Sequence, residues 1–342
     1  LVILLLTASA RAKDVWLELN TPNFQIVGDS EKIRETAQKL EQFHDNFQKS
    51  FTKFQFKTPF PSKVIVFEND SKFRQPNQYF IAADDTNYIS ISPDKNYADI
   101  FHDYAHFLIN NNLGQGKIPA WLNCGLAEYF ANRNNTSDLL LTQQNNLSSL
   151  QNLLETDNFT LQSQSEERKA LFNAQSLAFL SFLLTEKGAG KFETIETFIE
   201  LLQQGKETRE ALILTFPVDY KKLENEFRQF LKEPKLVMKT DFSVFNQGFQ
   251  ILTISKAKSL AVLGEFLYYS NRRKEANEIL EKSLKLEPNL SLALSTLALL
   301  KAKEFYYDEA EELAEKAIKS EPNNFLNHFR YAAVLSKQGM TE

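Results

Sequence analysis

The spacing of apolar positions changes along this chain, and each change predicts a different element. Trp16 to Val27 (WLELNTPNFQIV) holds strand-like stretches broken by Pro22, and Lys63 to Phe67 (KVIVF) is a short apolar run suited to a buried strand. Between them Ile33, Ala37, Leu40, Phe43, Phe47 and Phe51 recur three and four apart, the stripe of one helix. Tyr79–Ala83 and Asn87–Ser92 flank Asp84-Asp85-Thr86 and predict a hairpin or consecutive strands. From residue 96 the period is helical: Tyr97–Asn111 and Pro119–Asn132, with Pro119 in the first turn, then Leu150–Leu154, Glu166–Glu186, Phe192–Gln204 and Tyr220–Lys232. The polar stretch 132–146 reads as loop. Lys187 to Lys191 (KGAGK) lacks phosphate-loop spacing and reads as a helix cap and turn.

Beyond residue 255 the pattern repeats. Glu287-Pro288-Asn289 recurs as Glu321-Pro322-Asn323, a shift of 34, which also aligns Leu260 with Leu294, Gly264 with Ala298 and Ala276 with Ala310. That period, with small residues where paired helices cross, is that of a tetratricopeptide repeat. The repeats are 255–288, 289–322 and a partial 323–342, whose apolar face lacks a partner, so a longer natural chain is expected. The first helices, Lys258–Tyr269, Leu292–Ala302 and Phe325–Ser336, are expected to line a groove for a protein or peptide partner. Tyr268, Lys301, Lys303 and Arg330 are its candidate contacts, and they suit a polar or acidic segment. The competing expectation is that this face docks on the chain's own N-terminal part.

Composition narrows the function classes. At 342 residues two or three domains are expected, and 29 Phe can fill large cores. A net charge of −5 with no basic stripe argues against a nucleic-acid partner. One cysteine permits no internal disulfide. Leu1 to Leu6 is apolar and is followed by Ala8-Ser9-Ala10 and Ala10-Arg11-Ala12, which resembles the end of a secretory signal peptide spanning 1–12 whose own start is missing. The run is too short to span a bilayer, so a mature chain without a transmembrane span, in an extracytoplasmic place (periplasmic or secreted, bacterial), is expected.

The chemistry concentrates between Ile100 and Ala131. His102 and His106 are four apart, about 400° of helix, which puts both rings on one face and within reach of one metal ion. From the residues alone, two packed or solvated histidines are the commoner reading of an H-x-x-x-H pair. HDYAH resembles the zinc-protease signature H-E-x-x-H with aspartate in place of glutamate. Trp121 to Phe130 (WLNCGLAEYF) resembles the WLNEGLAEYF segment of gluzincin metallopeptidases of the peptidase MA-like type, and the seventeen residues between His106 and Cys124 fit that clan. Trp16–Val27 is similar to the opening of exported bacterial proteins with this domain, and Leu171–Leu180 (LFNAQSLAFL) to their F-Y-A-Q-S helix.

The resemblance implies an α+β zincin-like domain over 13–235, with an α/β part at 13–95 and a helical part at 96–235. A linker at 236–254 and an all-α tetratricopeptide solenoid follow. It implies zinc as cofactor, held by His102, His106 and Cys124, where the family has glutamate at the third position. It places Asp103 as general base, Glu128 as an outer partner of a histidine ligand, and Asn173 where the family carries an oxyanion-donating tyrosine. Tyr88 and Ser90 fall on an edge strand that a peptide substrate would extend. Asp103 is one methylene shorter than the family's glutamate, leaving its carboxylate more than about 1 Å further from the water it would deprotonate. Three altered positions predict a peptidase-like domain that has lost catalysis, joined to protein-binding repeats. The alternative is an active zinc-dependent peptidase with a His₂Cys site. His44, read as lying on the exposed side of its helix, receives no role, and His328 is expected to pack inward.

Overall fold

The computed structural model describes residues 15–29, 32–67, 80–92, 96–114, 116–132, 136–187, 191–216, 219–239 and 248–339. The signal-like segment 1–12, Tyr79 and the glycine turn at 188–190 lie outside them. The strands are β1 (Trp16–Asn20), β2 (Phe24–Gly28), β3 (Ser62–Val66), β4 (Phe80–Ala82), β5 (Asn87–Ile91) and β6 (Ile251–Ile254). The helices are α1 (Ile33–Ser50), α2 (Ala98–Leu113), α3 (Ala120–Ala131), α4 (Thr136–Thr142), α5 (Leu150–Glu155), α6 (Asn158–Gln162), α7 (Glu166–Phe182), α8 (Phe192–Gln203), α9 (Thr208–Thr215), α10 (Tyr220–Phe230), α11 (Lys256–Tyr269), α12 (Arg273–Leu286), α13 (Ser291–Lys303), α14 (Tyr307–Ser320) and α15 (Phe325–Gln338). A small mixed sheet built mostly from the N-terminal part is thus followed by helices. Among the described residues, no helix is long and apolar enough to cross a membrane. The polar stretch read as loop contains α4, a helix whose buried Thr136 and Leu140 supply an inward face too short to stand out from its polar neighbours.

The chain forms two compact units, one from stretches 1–37, 61–94 and 248–342, the other from 38–60 and 95–247. In the first unit the sheet order is β4-β5-β3-β2-β1-β6. β2, β3 and β5 run parallel, and β1, β4 and β6 pair antiparallel with their neighbours. The segment read as a linker contributes β6, paired with β1 from Trp16↔Ile254 to Leu19↔Ile251. Val27, Ile65, Phe67 and Tyr88 of the sheet region share one core with Val262, Phe266 and Leu267 of α11, Leu300 of α13 and Val334 of α15. Small residues occupy the close helix crossings, as the 34-residue shift predicts. A Cβ on Gly264 of α11 would fall 2.6 Å from Leu280 Cγ of α12, and Ala276, Ala310 and Ala317 are fully buried.

A buried ion network ties these helices to the sheet. Arg330 of α15 donates from Nε to Asp85 Oδ2 at 2.7 Å, from Nη1 to Thr296 Oγ1 at 2.9 Å, and from Nη2 to Glu265 Oε1. Lys63 of β3 donates to Glu265 Oε2 at 2.5 Å, the Tyr88 hydroxyl donates to the same oxygen, and the Tyr269 hydroxyl donates to Asp85 Oδ1. Burial alone would raise the Glu265 carboxyl, but Lys63 and Arg330 outweigh it and push it down to about 2.

Several expectations are corrected here. Arg330 is fully buried and bonded to Asp85 and Glu265, so its charge is held inside the unit rather than offered to a partner, and Tyr268 is 8% exposed. Tyr88 is not on an edge: Ile81 of β4 pairs with it on one side and Lys63 of β3 on the other. Ser90 is buried and sits opposite Ile65. His328 is exposed, with Nε2 against the Pro322 carbonyl oxygen at 2.6 Å, because the inward positions of α15 are taken by Asn327 and Arg330.

The second unit is helical and aromatic. Trp121 of α3 is fully buried against Phe179 of α7 at 4.9 Å and Phe198 of α8 at 5.8 Å. Phe43 of α1 stacks on Phe101, Phe47 packs edge-on against Phe56 and tilted against Phe130, and Phe51 packs tilted against Phe56. His44 is a correction: it is buried, and its Nδ1 is hydrogen-bonded to the Tyr104 hydroxyl at 2.9 Å. Helical wheels place it beside the apolar stripe, and Tyr104 on α2 supplies the polar partner that lets it be buried.

Candidate functional site

Three helices of the second unit converge on the histidine pair. α2 carries His102, Asp103, His106 and Asn110; α3 carries Asn123, Cys124 and Glu128; α7 carries Asn173. The close approach of α3 and α7 depends on Gly125, where a Cβ would meet the Ser176 carbonyl oxygen at 2.8 Å. Next to it Gln175 clamps Ser148, accepting from its N–H at 3.0 Å and donating to its carbonyl at 2.7 Å. α3 ends at Asn132, whose left-handed backbone (φ 52°) lets its N–H reach the Glu128 carbonyl.

His102 and His106 lie edge to face with ring centroids 4.5 Å apart, as the i,i+4 spacing predicts. Both rings are held from α3, through Glu128 and Asn123. His102 Nε2 faces Glu128 Oε1 at 3.2 Å, and its Nδ1 faces Asp103 Oδ1 at 3.3 Å. Asn173 Nδ2 stands 3.4 Å from the same Nε2. His106 Nδ1 donates to Asn123 Oδ1 at 2.8 Å, and Asn123 Nδ2 donates onward to Asn110 Oδ1 at 2.8 Å. This relay fixes the His106 tautomer with the proton on Nδ1, leaving Nε2 as the lone-pair nitrogen. Asn123 and Asn110 were missed in the sequence, where an asparagine before the third-ligand position carries no mark of its role. Cys124 is buried, Glu128 is buried, and Asp103 is 40% exposed at its side chain.

Two nitrogen donors on one helix need at least a third protein donor to hold zinc. Among the described residues, no three His, Cys, Asp or Glu side chains gather in a metal-holding group. The donor nearest His102 is Glu128, one helical turn beyond Cys124. As arranged, His102 and His106 are each hydrogen-bonded or ion-paired to side chains of α3. The arrangement can orient a polar group, with His106 Nε2 as a hydrogen-bond acceptor.

The site also carries a pH dependence. Burial, and then the neighbouring charge of His102, hold the His106 imidazole down to about 4 from its usual 6.5. The unfolded chain therefore binds the extra proton between pH 6.5 and 4, and stability falls as the pH is lowered through that window, by at most about 3 kcal/mol. His44, also lowered by burial, acts in the same direction. Urea unfolding at pH 7 and pH 4.5 should show the loss, and His106→Gln should shrink it. Identical pH slopes for the two proteins would count against the assignment.

A scan against protein-family models finds no match, and a search of curated proteins finds no relative.

Proposed function

We propose that this chain is an exported peptidase MA-like protein that has kept the two-histidine frame, has lost hydrolysis, and works by binding. The observation that carries this reading is the partnering of His102. Its Nε2 faces Glu128 and its Nδ1 faces the shortened Asp103, so the general-base carboxylate is spent on a ring it should leave free. Cys124 in place of glutamate and Asn173 in place of tyrosine add two further departures on the same three helices. The 34-residue repeats support the binding half of the reading, because stacked helical pairs of this kind present extended surfaces to partners.

The test is metal content and peptide cleavage in protein purified without chelator. Wild type is expected to carry well under one zinc per chain and to leave a mixed peptide library uncut. The double variant Asp103→Glu, Cys124→Glu is expected to gain stoichiometric zinc. Stoichiometric zinc in wild type that is lost in Cys124→Ala, together with chelator-sensitive cleavage, would overturn the proposal and establish the His₂Cys peptidase instead.

A further inference from the structure

A cavity of about 430 Å³ opens in the first unit between the β4–β5 turn and helices α11, α13 and α15. Its lining is aromatic and apolar at Tyr268, Leu299 and Phe329 and also includes Lys303 of α13 and Lys337 of α15. Position 337 follows Phe329 and Ala333 at steps of four, so these three residues share one face of α15. Arg330, at the base, is already neutralised by Asp85 and Glu265.

The lysines are not neutralised. Among the described residues neither Lys303 nor Lys337 forms an ion pair, and Lys303 Nζ lies 5.4 Å from the centre of the Tyr268 ring. Arg273 adds a third positive charge beside Lys303, and its Nε is buried without a hydrogen-bond partner. Burial, and then the charges of Arg273 and Lys337, make the ammonium of Lys303 harder to keep protonated than usual. In a chain of net charge −5, a cavity lined by two lysines that no ion pair neutralises among the described residues, with Arg273 close to one of them, is an unsatisfied electrostatic arrangement. Asp84, on the rim, is exposed and makes no ion pair with them.

The geometry points to this cavity as a binding site for a small organic anion, with a carboxylate or phosphate held between Lys303 and Lys337 and a planar or apolar body against Tyr268, Phe329 and Leu299. An anion there satisfies the cations with charge-assisted hydrogen bonds and leaves the Arg330 network intact. Nothing in this inference depends on the histidine site, so a failure of the zinc and cleavage tests leaves it standing.

The experiment titrates the full chain with phenyl phosphate and with phenylacetate, using benzyl alcohol as the neutral control, by ligand-observed NMR. The two anions separate a phosphate from a carboxylate preference. At least one anion is expected to bind saturably with a dissociation constant in the millimolar range or tighter, as small ligands allow, while the alcohol does not bind. Lys303→Gln and Lys337→Gln should each weaken it about tenfold, the worth of one charge-assisted bond, and raising salt should weaken it further. Circular dichroism melting confirms that each variant is folded. Because both lysines lie outside the buried network, Lys303→Glu is expected to fold as well and to abolish binding. The proposal is overturned if neither anion binds saturably, if the neutral alcohol binds as well as the anions, or if the folded lysine variants keep wild-type affinity.

Discussion

Arg330→Met is expected to destabilise the sheet-and-helix unit by about 3–5 kcal/mol, the usual cost of removing one partner from a buried ion pair. Arg330 is the only cation bonded to Asp85 among the described residues, and it also holds one oxygen of Glu265. Methionine fills much of the same volume, so the loss would come mainly from uncompensated charge rather than from a void. Glu265 keeps Lys63, whereas Asp85 keeps only the Tyr269 hydroxyl. Arg330→Lys retains a charge but loses the fork that reaches Asp85, Thr296 and Glu265 together, and should cost roughly half as much. Guanidinium unfolding of the three proteins at pH 7 reads both effects. A midpoint for Arg330→Met equal to wild type would show that the network contributes little.

Gly125→Val should have the second largest effect, about 3 kcal/mol, at the upper end of what overpacking a closed interface costs. Even a Cβ at this position meets the Ser176 carbonyl at 2.8 Å and sits 3.4 Å from Leu180 Cβ. The first obstacle is backbone, which cannot rotate aside as a side chain can, so α3 and α7 would have to part. That movement would carry Cys124 and Glu128 away from α7 and widen the gap at Asn173. The histidine site should then report the change independently of stability, through altered ring resonances of His102. Gly125→Ala, with only the Cβ, should fall near 1–2 kcal/mol. If both variants melt with wild type, α3 and α7 are not closely packed in solution.

How much of this could be read in advance differs by kind of signal. Local pattern located α2, α3, α7 and the repeated helices to within a few residues, because each is a run of helical length rich in apolar residues and bounded by polar or turn-forming ones. The hairpin around Asp84-Asp85-Thr86 and the facing of both histidines toward one neighbouring helix also follow from local spacing. The fates of Arg330 and Tyr88 do not. A buried arginine is marked only by its partners, and Asp85 lies 245 residues from Arg330 in sequence. Tyr88 reads as an edge residue until β4 is paired beside it. Likewise β6 is four residues, Ile251–Ile254, with two of them exposed, too weak a pattern to separate from a linker without β1 alongside. At the histidine site, sequence supplied the residues of α2 and α3, while the Asn123–Asn110 relay emerged only from geometry.

The interleaving of the two units has a consequence for synthesis on the ribosome. β1 emerges early, but its outer partner β6 and the helices that cover Val27, Ile65 and Phe67 are made more than 200 residues later. For all that time the sheet has an open edge and a bare apolar face, a state prone to wrong pairing. The second unit needs nothing made after residue 247 and can close first. Folding order would therefore invert chain order: the middle of the protein settles while its beginning waits for its end. A holding factor that shields exposed strands should matter most in the interval before α15 delivers Arg330 to Asp85.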